Sequence, residues 1–315
     1  MTRAREYAAR LFLAWLNERY HRAFKPSGDF EEVWRAGDSD GGTLSIVTAE
    51  LYEAPDGWRQ RCDELCSRLD DTRPGSYLLW QPQKTDLPDG EPDESEWVRR
   101  VVLAASKLAS GRGGEMRLPV RLALGKVREE GGHASVTGGL GRHWTDISER
   151  LNGSFFLDSR GLHRFTKNEE EREALYDNIG ALSQGLAVGD VVEFETEDAW
   201  SLQRLSRSEG LADGWAIAGC PPGFEPDDGS AVRRLLRRRL ADAAEALSGV
   251  RDSARVLVLL GAYEYMELEN AGPSLRGFDP ALAASFDVIA LVCDAEVKAL
   301  RMSRALSFVR EGIGT

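Results

Sequence analysis

Long apolar runs are missing from this chain. No stretch approaches the roughly 18 uninterrupted apolar residues that mark a membrane-crossing helix, so a membrane partner is not expected. Arg3, Arg5 and Glu6 stand ahead of a mixed amphipathic run, without the apolar block and small-residue cleavage site of a signal peptide. Cysteine is scarce. The four present (Cys62, Cys66, Cys220 and Cys293) are too few and too scattered for a disulfide framework, and a reducing cytoplasm is the expected setting. Positive charge is in deficit: 40 Lys and Arg against 52 Asp and Glu leave a net charge of -12, which argues against a broad nucleic-acid-binding surface but leaves room for a local basic groove. Internal repeats, low-complexity tracts, a nucleophile elbow, a phosphate loop of the Walker type and a dinucleotide fingerprint are all absent from the sequence.

What is there suits a globular α/β protein. A chain of 315 residues with 42% hydrophobic and 29% charged residues can bury a large core. Tyr7, Leu11, Trp15, Leu16 and Tyr20 recur at helical spacing and predict a helix over 3–24, ended by Lys25-Pro26-Ser27-Gly28. Strands at 30–36 and 43–52 flank an Asp/Gly turn as a hairpin; a helix then runs from Pro55-Asp56-Gly57 to about Leu69, and Ser76 to Trp80 is a short apolar strand. The proline- and acid-rich segment 82–94 reads as a loop, 95–110 as a helix, and Leu118–Val127 with Ala134–Thr137 as two strands that pair with each other. Beyond a less regular 138–165, with a short helix near 144–151, a helix over 167–184 starts on Asn168 and three glutamates. Strands at 188–195, 199–206 and 214–219 suggest a meander. A helix over 230–248 leads into the apolar strand 255–260, and 286–292 is a second such strand. The expectation is a single composite domain over 1–315, a central mixed sheet flanked by helices that holds the hairpin and both apolar strands, with its weakest joint within 138–166 between 1–140 and 167–315.

Two places carry candidate chemistry. Asp38 and Asp40 at the start of a strand and Glu50 at its end offer carboxylate oxygens of the kind that hold a hard cation such as Mg²⁺, which can activate water at a phosphate. The same composition also builds a plain hairpin turn. On the helix over 230–248, Arg233 and Arg237 share a face, as do Arg234 and Arg238, and such a row suits either a phosphate backbone or a solvated surface. Cys62 and Cys66, four apart on a helix, lack two further zinc ligands and read as a half-buried helix face. The Gly-rich loop around His133 and His143, and Glu264 and Glu267 past the strand at 255–260, are secondary candidates, and the scattered tryptophans read as core.

The order helix, strand, acidic turn, strand ending in a carboxylate, and later a helix leading into an apolar strand resembles the restriction-endonuclease-like PD-(D/E)xK nuclease superfamily. Ser45-Ile46-Val47-Thr48-Ala49-Glu50-Leu51-Tyr52 stands where divergent members carry a strand ending in Glu. The resemblance implies a restriction-endonuclease-like core with insertions, metal-dependent phosphodiester hydrolysis on nucleic acid, Mg²⁺ held by Asp38, Asp40 and Glu50, and Glu50 in a catalytic role. The pattern departs from the family's: no proline precedes Asp38 or Asp40, 45–49 holds no acid, and Tyr52 stands where a lysine belongs. The site is then either rearranged, with Lys126 or an arginine of 230–248 supplying the positive charge, or lost. A lost site leaves a catalytically silent binding or scaffolding subunit of a larger prokaryotic assembly, with a protein partner.

Overall fold

The structure is a computed structural model, and it describes residues 2–82, 85–166, 168–207, 211–219, 221, 223–224, 229–251, 253–261, 279–303 and 306. The chain gathers into two compact units, one made of Met1–Gly114 with Ser201–Thr315 and the other of Glu115–Trp200. The segment 138–166 lies inside the second unit.

The first unit is built around the strands β1 (Lys25–Ser27), β2 (Trp34–Gly37), β3 (Thr43–Glu50), β10 (Ala254–Leu260), β11 (Val288–Cys293) and β12 (Glu296–Met302), in that spatial order. β3, β10 and β11 are parallel, with Val47 opposite Leu257 and Leu257 opposite Ile289. β2 and β12 flank them antiparallel. The near-continuous apolar runs of β10 and β11 are those of strands covered on both faces, and every residue from Val256 to Leu260 and from Val288 to Cys293 is buried. Cover comes from α1 (Arg3–Tyr20), which packs on β3, β10 and β11, and from α6 (Gly229–Ala246), which packs on β3. Phe12, Leu13 and Leu16 of α1 and Val232, Leu236 and Leu240 of α6 belong to the same core. Both helices follow their apolar stripe: the exposed arginines of α6 occupy the positions left over between Leu235, Leu236 and Leu240.

The same unit holds α2 (Asp56–Thr72), β4 (Ser76–Gln81), α3 (Asp93–Ser106) and β9 (Gly214–Gly219). β4 pairs parallel with β9 on one side and antiparallel with residues 201–204 on the other, and α2 packs on β9. The second unit contains β5 (Gly113–Arg128), β6 (His133–Gly138), α4 (Trp144–Ser148), β7 (Ser154–Ser159), α5 (Glu169–Gln184) and β8 (Val191–Arg204), with β5 and β8 each also carrying residues of the first unit. The order in this second sheet is β6-β7-β5-β8-β4-β9. Leu122, Leu124, Phe155 and Leu157 pack with Ile147 of α4 and Leu175 and Ile179 of α5 as a separate core. Asn168 caps α5 by accepting hydrogen bonds from the backbone N–H of Glu170 and Glu171.

The mixed α/β class and the placing of β2, β3, β10 and β11 in one sheet agree with the sequence. Three expectations are corrected. Among the described residues, the strands form two six-stranded sheets rather than one central sheet. β5 and β6 do not pair: β7, in the segment without a clear pattern, runs antiparallel to β5 and parallel to β6 and lies between them. The meander is also absent, because 191–204 is one continuous strand and β9 pairs with β4 from much earlier in the chain. Strand partners are chosen by packing across the sheet, which local alternation does not encode. No helix among the described residues is long and apolar enough to cross a membrane.

Leu257 is fully buried in the central strand while Leu103 is half exposed on α3. Leu257→Ala is expected to lower the unfolding free energy by about 3 kcal/mol, and Leu103→Ser by no more than about 0.5 kcal/mol, measured by urea denaturation.

Candidate functional site

The acidic turn before β3 is held by one of its own carboxylates. Asp38 accepts hydrogen bonds from the backbone N–H of Gly42 at 2.6 Å and of Asp40 at 3.2 Å, and from Arg22 Nε at 2.9 Å and Nη2. Gly41 adopts φ +82°, and a Cβ on Gly42 would meet the Asp38 carboxylate at 2.9 Å. The Asp/Gly composition thus serves turn geometry. Burial alone would raise the pKa of Asp38; the Arg22 guanidinium and the N–H groups of Gly42 and Asp40 outweigh it and hold the carboxyl below its ordinary value. Asp40 is solvent-exposed and reaches Arg22 at 3.3 Å.

Glu50 lies at the far end of the same strand. β3 runs from Thr43, opposite Gly37, to Glu50, a span of about 23 Å at roughly 3.3 Å per residue. Carboxylates that share a cation each stand about 2.0–2.6 Å from it. The structure thus does not bring Asp38 and Asp40 to Glu50 at the spacing that one Mg²⁺ needs. The described residues contain no group of three or more His, Cys, Asp or Glu placed to hold a metal.

Around Glu50 the structure assembles arginines instead. The carboxylate is buried, and its Oε1 accepts from Thr2 Oγ1 at 3.2 Å and Arg5 Nε at 3.3 Å, its Oε2 from Arg59 Nη2 at 3.2 Å. The Glu50 backbone carbonyl accepts from Arg239 Nε at 3.0 Å. Arg5 comes from the first turn of α1, Arg59 from the first turn of α2 and Arg239 from α6, so three helices deliver one guanidinium each to the C-terminal end of β3. That end of a parallel sheet is where α/β folds place ligands. Burial, together with the neighbouring Arg238 and Arg5, pulls the pKa of Arg239 below its ordinary value. Beside Glu50 a cavity of about 580 Å³ is lined by Thr2, Tyr52, Trp58, Arg59, Cys62 and Cys66 among others, a volume in the range of small-ligand sites. Cys62 and Cys66 are buried rather than half-buried, and burial raises both thiols, Cys66 to about 12.

No protein-family model, curated protein or solved structure significantly matches the chain.

The remaining candidates have partners or surroundings of their own. Lys126 belongs to the second unit, where its Nζ pairs with Glu129 Oε2 at 2.7 Å and lies over the Phe155 ring. Arg233, Arg234, Arg237 and Arg238 are all exposed on α6. Arg234 donates to Ser230 Oγ at 3.4 Å and Arg238 pairs with Glu53; the other two have no carboxylate partner among the described residues. His143 Nδ1 is 2.8 Å from the Tyr176 hydroxyl and packs edge-on against Phe165, and burial lowers its pKa. His133 meets Trp144 edge-on. Glu264 and Glu267 lie outside the described residues. Sequence reasoning missed Thr2, Arg5 and Arg59. Arg239 belongs to the basic run of 230–248 that the sequence shows; the other three carry no local signal, since their convergence on Glu50 arises only in the fold.

A carboxylate with a depressed folded pKa contributes stability that is present above its unfolded pKa and lost as pH falls through the folded value. Asp38→Asn is therefore expected to lower the melting temperature clearly at pH 7, with the gap to the wild type closing toward pH 3, as followed by circular dichroism.

Proposed function

We propose that the protein is a binding protein of nuclease-like ancestry that holds phosphate groups of nucleic acid and does not hydrolyse them. The observation that carries this reading is the convergence of Arg5, Arg59 and Arg239 on Glu50 at the C-terminal end of β3. Guanidinium groups bind phosphate through paired N–H donors, and α6 continues from Arg239 into the exposed Arg233, Arg234 and Arg237. The core of α1, the β2–β3 hairpin, and α6 leading into β10 follows the element order of the restriction-endonuclease-like superfamily, which supports the ancestry.

Hydrolysis in that superfamily needs a divalent cation between carboxylates. The residues of this chain do not fit that ion. Asp38 is committed to Arg22 and to two backbone N–H groups, and Glu50 already accepts three hydrogen bonds, two of them from arginines. Glu50 serves here as the internal counter-ion that keeps Arg5 and Arg59 in place. The acidic balance of the whole chain disfavours broad contact with nucleic acid and favours a local basic region such as this one.

Fluorescence anisotropy with labelled single- and double-stranded DNA and RNA tests the reading. Binding is expected to weaken as salt rises, and Arg233→Gln/Arg234→Gln/Arg237→Gln should weaken it further and flatten the log–log salt slope for duplex by up to about 3. Cleavage in Mg²⁺ or Mn²⁺ is expected to stay at background. Binding indifferent to salt and to the arginines would overturn the proposal, and metal-dependent cleavage lost in Glu50→Gln would restore the hydrolytic alternative.

A further inference from the structure

In β7 and over residues 191–197 of β8, the sheet of the second unit buries one face and leaves the other open. Leu122 and Leu124 of β5, Phe155 and Leu157 of β7, and the half-buried Val192 and Phe194 of β8 point toward α4 and α5. The alternate positions point the other way, because successive strand residues face opposite sides. The register shows which residues share that open face: Gly125 stands opposite Phe156 and Phe156 opposite Ser135, while Ala123 stands opposite Asp158 and Asp158 opposite Thr137. Arg121 and Glu193 line a common shallow recess with Asp158.

Two features of this face call for a partner. The first is apolar. Six large hydrophobic residues are exposed among the described residues; Phe156 (38%) of β7 and Val191 (57%) of β8 lie on this face by alternation, and Val127 (49%), at the irregularity of β5, and Val188 (51%), in the turn entering β8, adjoin it. That turn is tied to β5 by the backbone hydrogen bonds Lys126 N–H to Asp190 O at 3.0 Å and Gly189 N–H to Lys126 O at 2.9 Å. The Phe156 ring occupies the space beside Gly125, where a Cβ would come within 2.1 Å of it. The residue at 125 is thus kept without a side chain, and the ring spreads over the sheet. The second feature is charge. Glu193, Glu195 and Glu197 alternate along β8 on this same side, all exposed. Arg121, 3.5 Å from Glu195, is the one cation seen pairing with this row among the described residues.

We propose that this open sheet face docks a basic segment of a partner protein, with apolar side chains seated on Phe156, Val127 and Val191 and cations facing Glu193, Glu195 and Glu197. Charge complementarity selects the partner's sign, and it sets this face apart from the arginine-rich end of the first unit. A second copy of this chain fits less well. Its basic surface is the arginine row of α6, and none of the exposed large hydrophobic residues lies on that helix to fill the apolar end.

A short fluorescein-labelled peptide of alternating lysine and valine, titrated into the full chain, is the probe, with alternating glutamate and valine as the control. Saturable binding of the lysine peptide alone is expected, weakening as salt rises. Glu193→Gln/Glu195→Gln/Glu197→Gln should reduce the affinity about tenfold or more, and Phe156→Ser should reduce it without altering the salt dependence. Arg121→Gln removes the competing cation and should tighten binding, which separates docking from damage to the fold. Equal binding of both peptides, or affinities unmoved by these substitutions, overturns the proposal. So does a dimer in sedimentation that Phe156→Ser disperses, since that places a second copy on the face.

Discussion

The pairing of β3 with β10 is the constraint on which the first unit depends. It aligns Leu44 to Glu50 with Ala254 to Leu260, strands more than two hundred positions apart in the chain, in a parallel ladder buried on both faces. A parallel pair cannot be joined by a tight turn and needs helical cover on each side. α1 and α6 supply that cover with Phe12, Leu16, Leu236 and Leu240. The same packing that buries these apolar stripes brings Arg5 and Arg239 to the C-terminal end of β3. The helices that cover the sheet thus also set the place of the arginine cluster, and Glu50 offsets the repulsion among its charges. A buried carboxylate is costly alone, and buried or crowded guanidiniums repel one another. Together, with Thr2 adding a hydroxyl, they satisfy each other.

The opposite ends of β3 illustrate how one composition serves two purposes. At its start, Asp38 is consumed by the turn: two backbone N–H groups and Arg22 take up its oxygens, and glycine is required at 42 because a side chain would collide with it. At its end, the Glu50 carboxylate meets cations and a hydroxyl among the described residues. A strand holds its termini apart at a fixed rise per residue, so acids at both ends cannot be drawn into one ligand sphere.

The second unit solves a different packing problem. β7 and residues 191–197 of β8 alternate between more and less buried positions, and α4 and α5 pack on the more buried side. The uncovered side is finished with glutamates on β8 and with apolar residues around Phe156, so its two regions differ in character. The glutamate row of β8 and the arginine row of α6 belong to different units, and a net charge summed over the whole chain describes neither of them.

Much of this was legible from the residues. The apolar runs at 255–260 and 286–292 announced strands buried on both faces, the spacing of Tyr7, Leu11, Trp15 and Tyr20 announced α1, and Asn168 with the glutamates after it announced α5, because each signal is local and repeats with the period of its element. Partner choice was not legible. β7 inserts between β5 and β6, and β9 joins β4, because the winning pairing is the one that buries most surface across the sheet, and that sum is taken over residues distant in sequence. The site divides along the same line. Glu50 at a strand end and the arginines of α6 were visible, as was the capacity of Asp38 to shape a turn. The meeting of Arg5, Arg59 and Arg239 at Glu50 was decided by tertiary structure alone, since three helices from separate parts of the chain converge there only after the parallel sheet has formed.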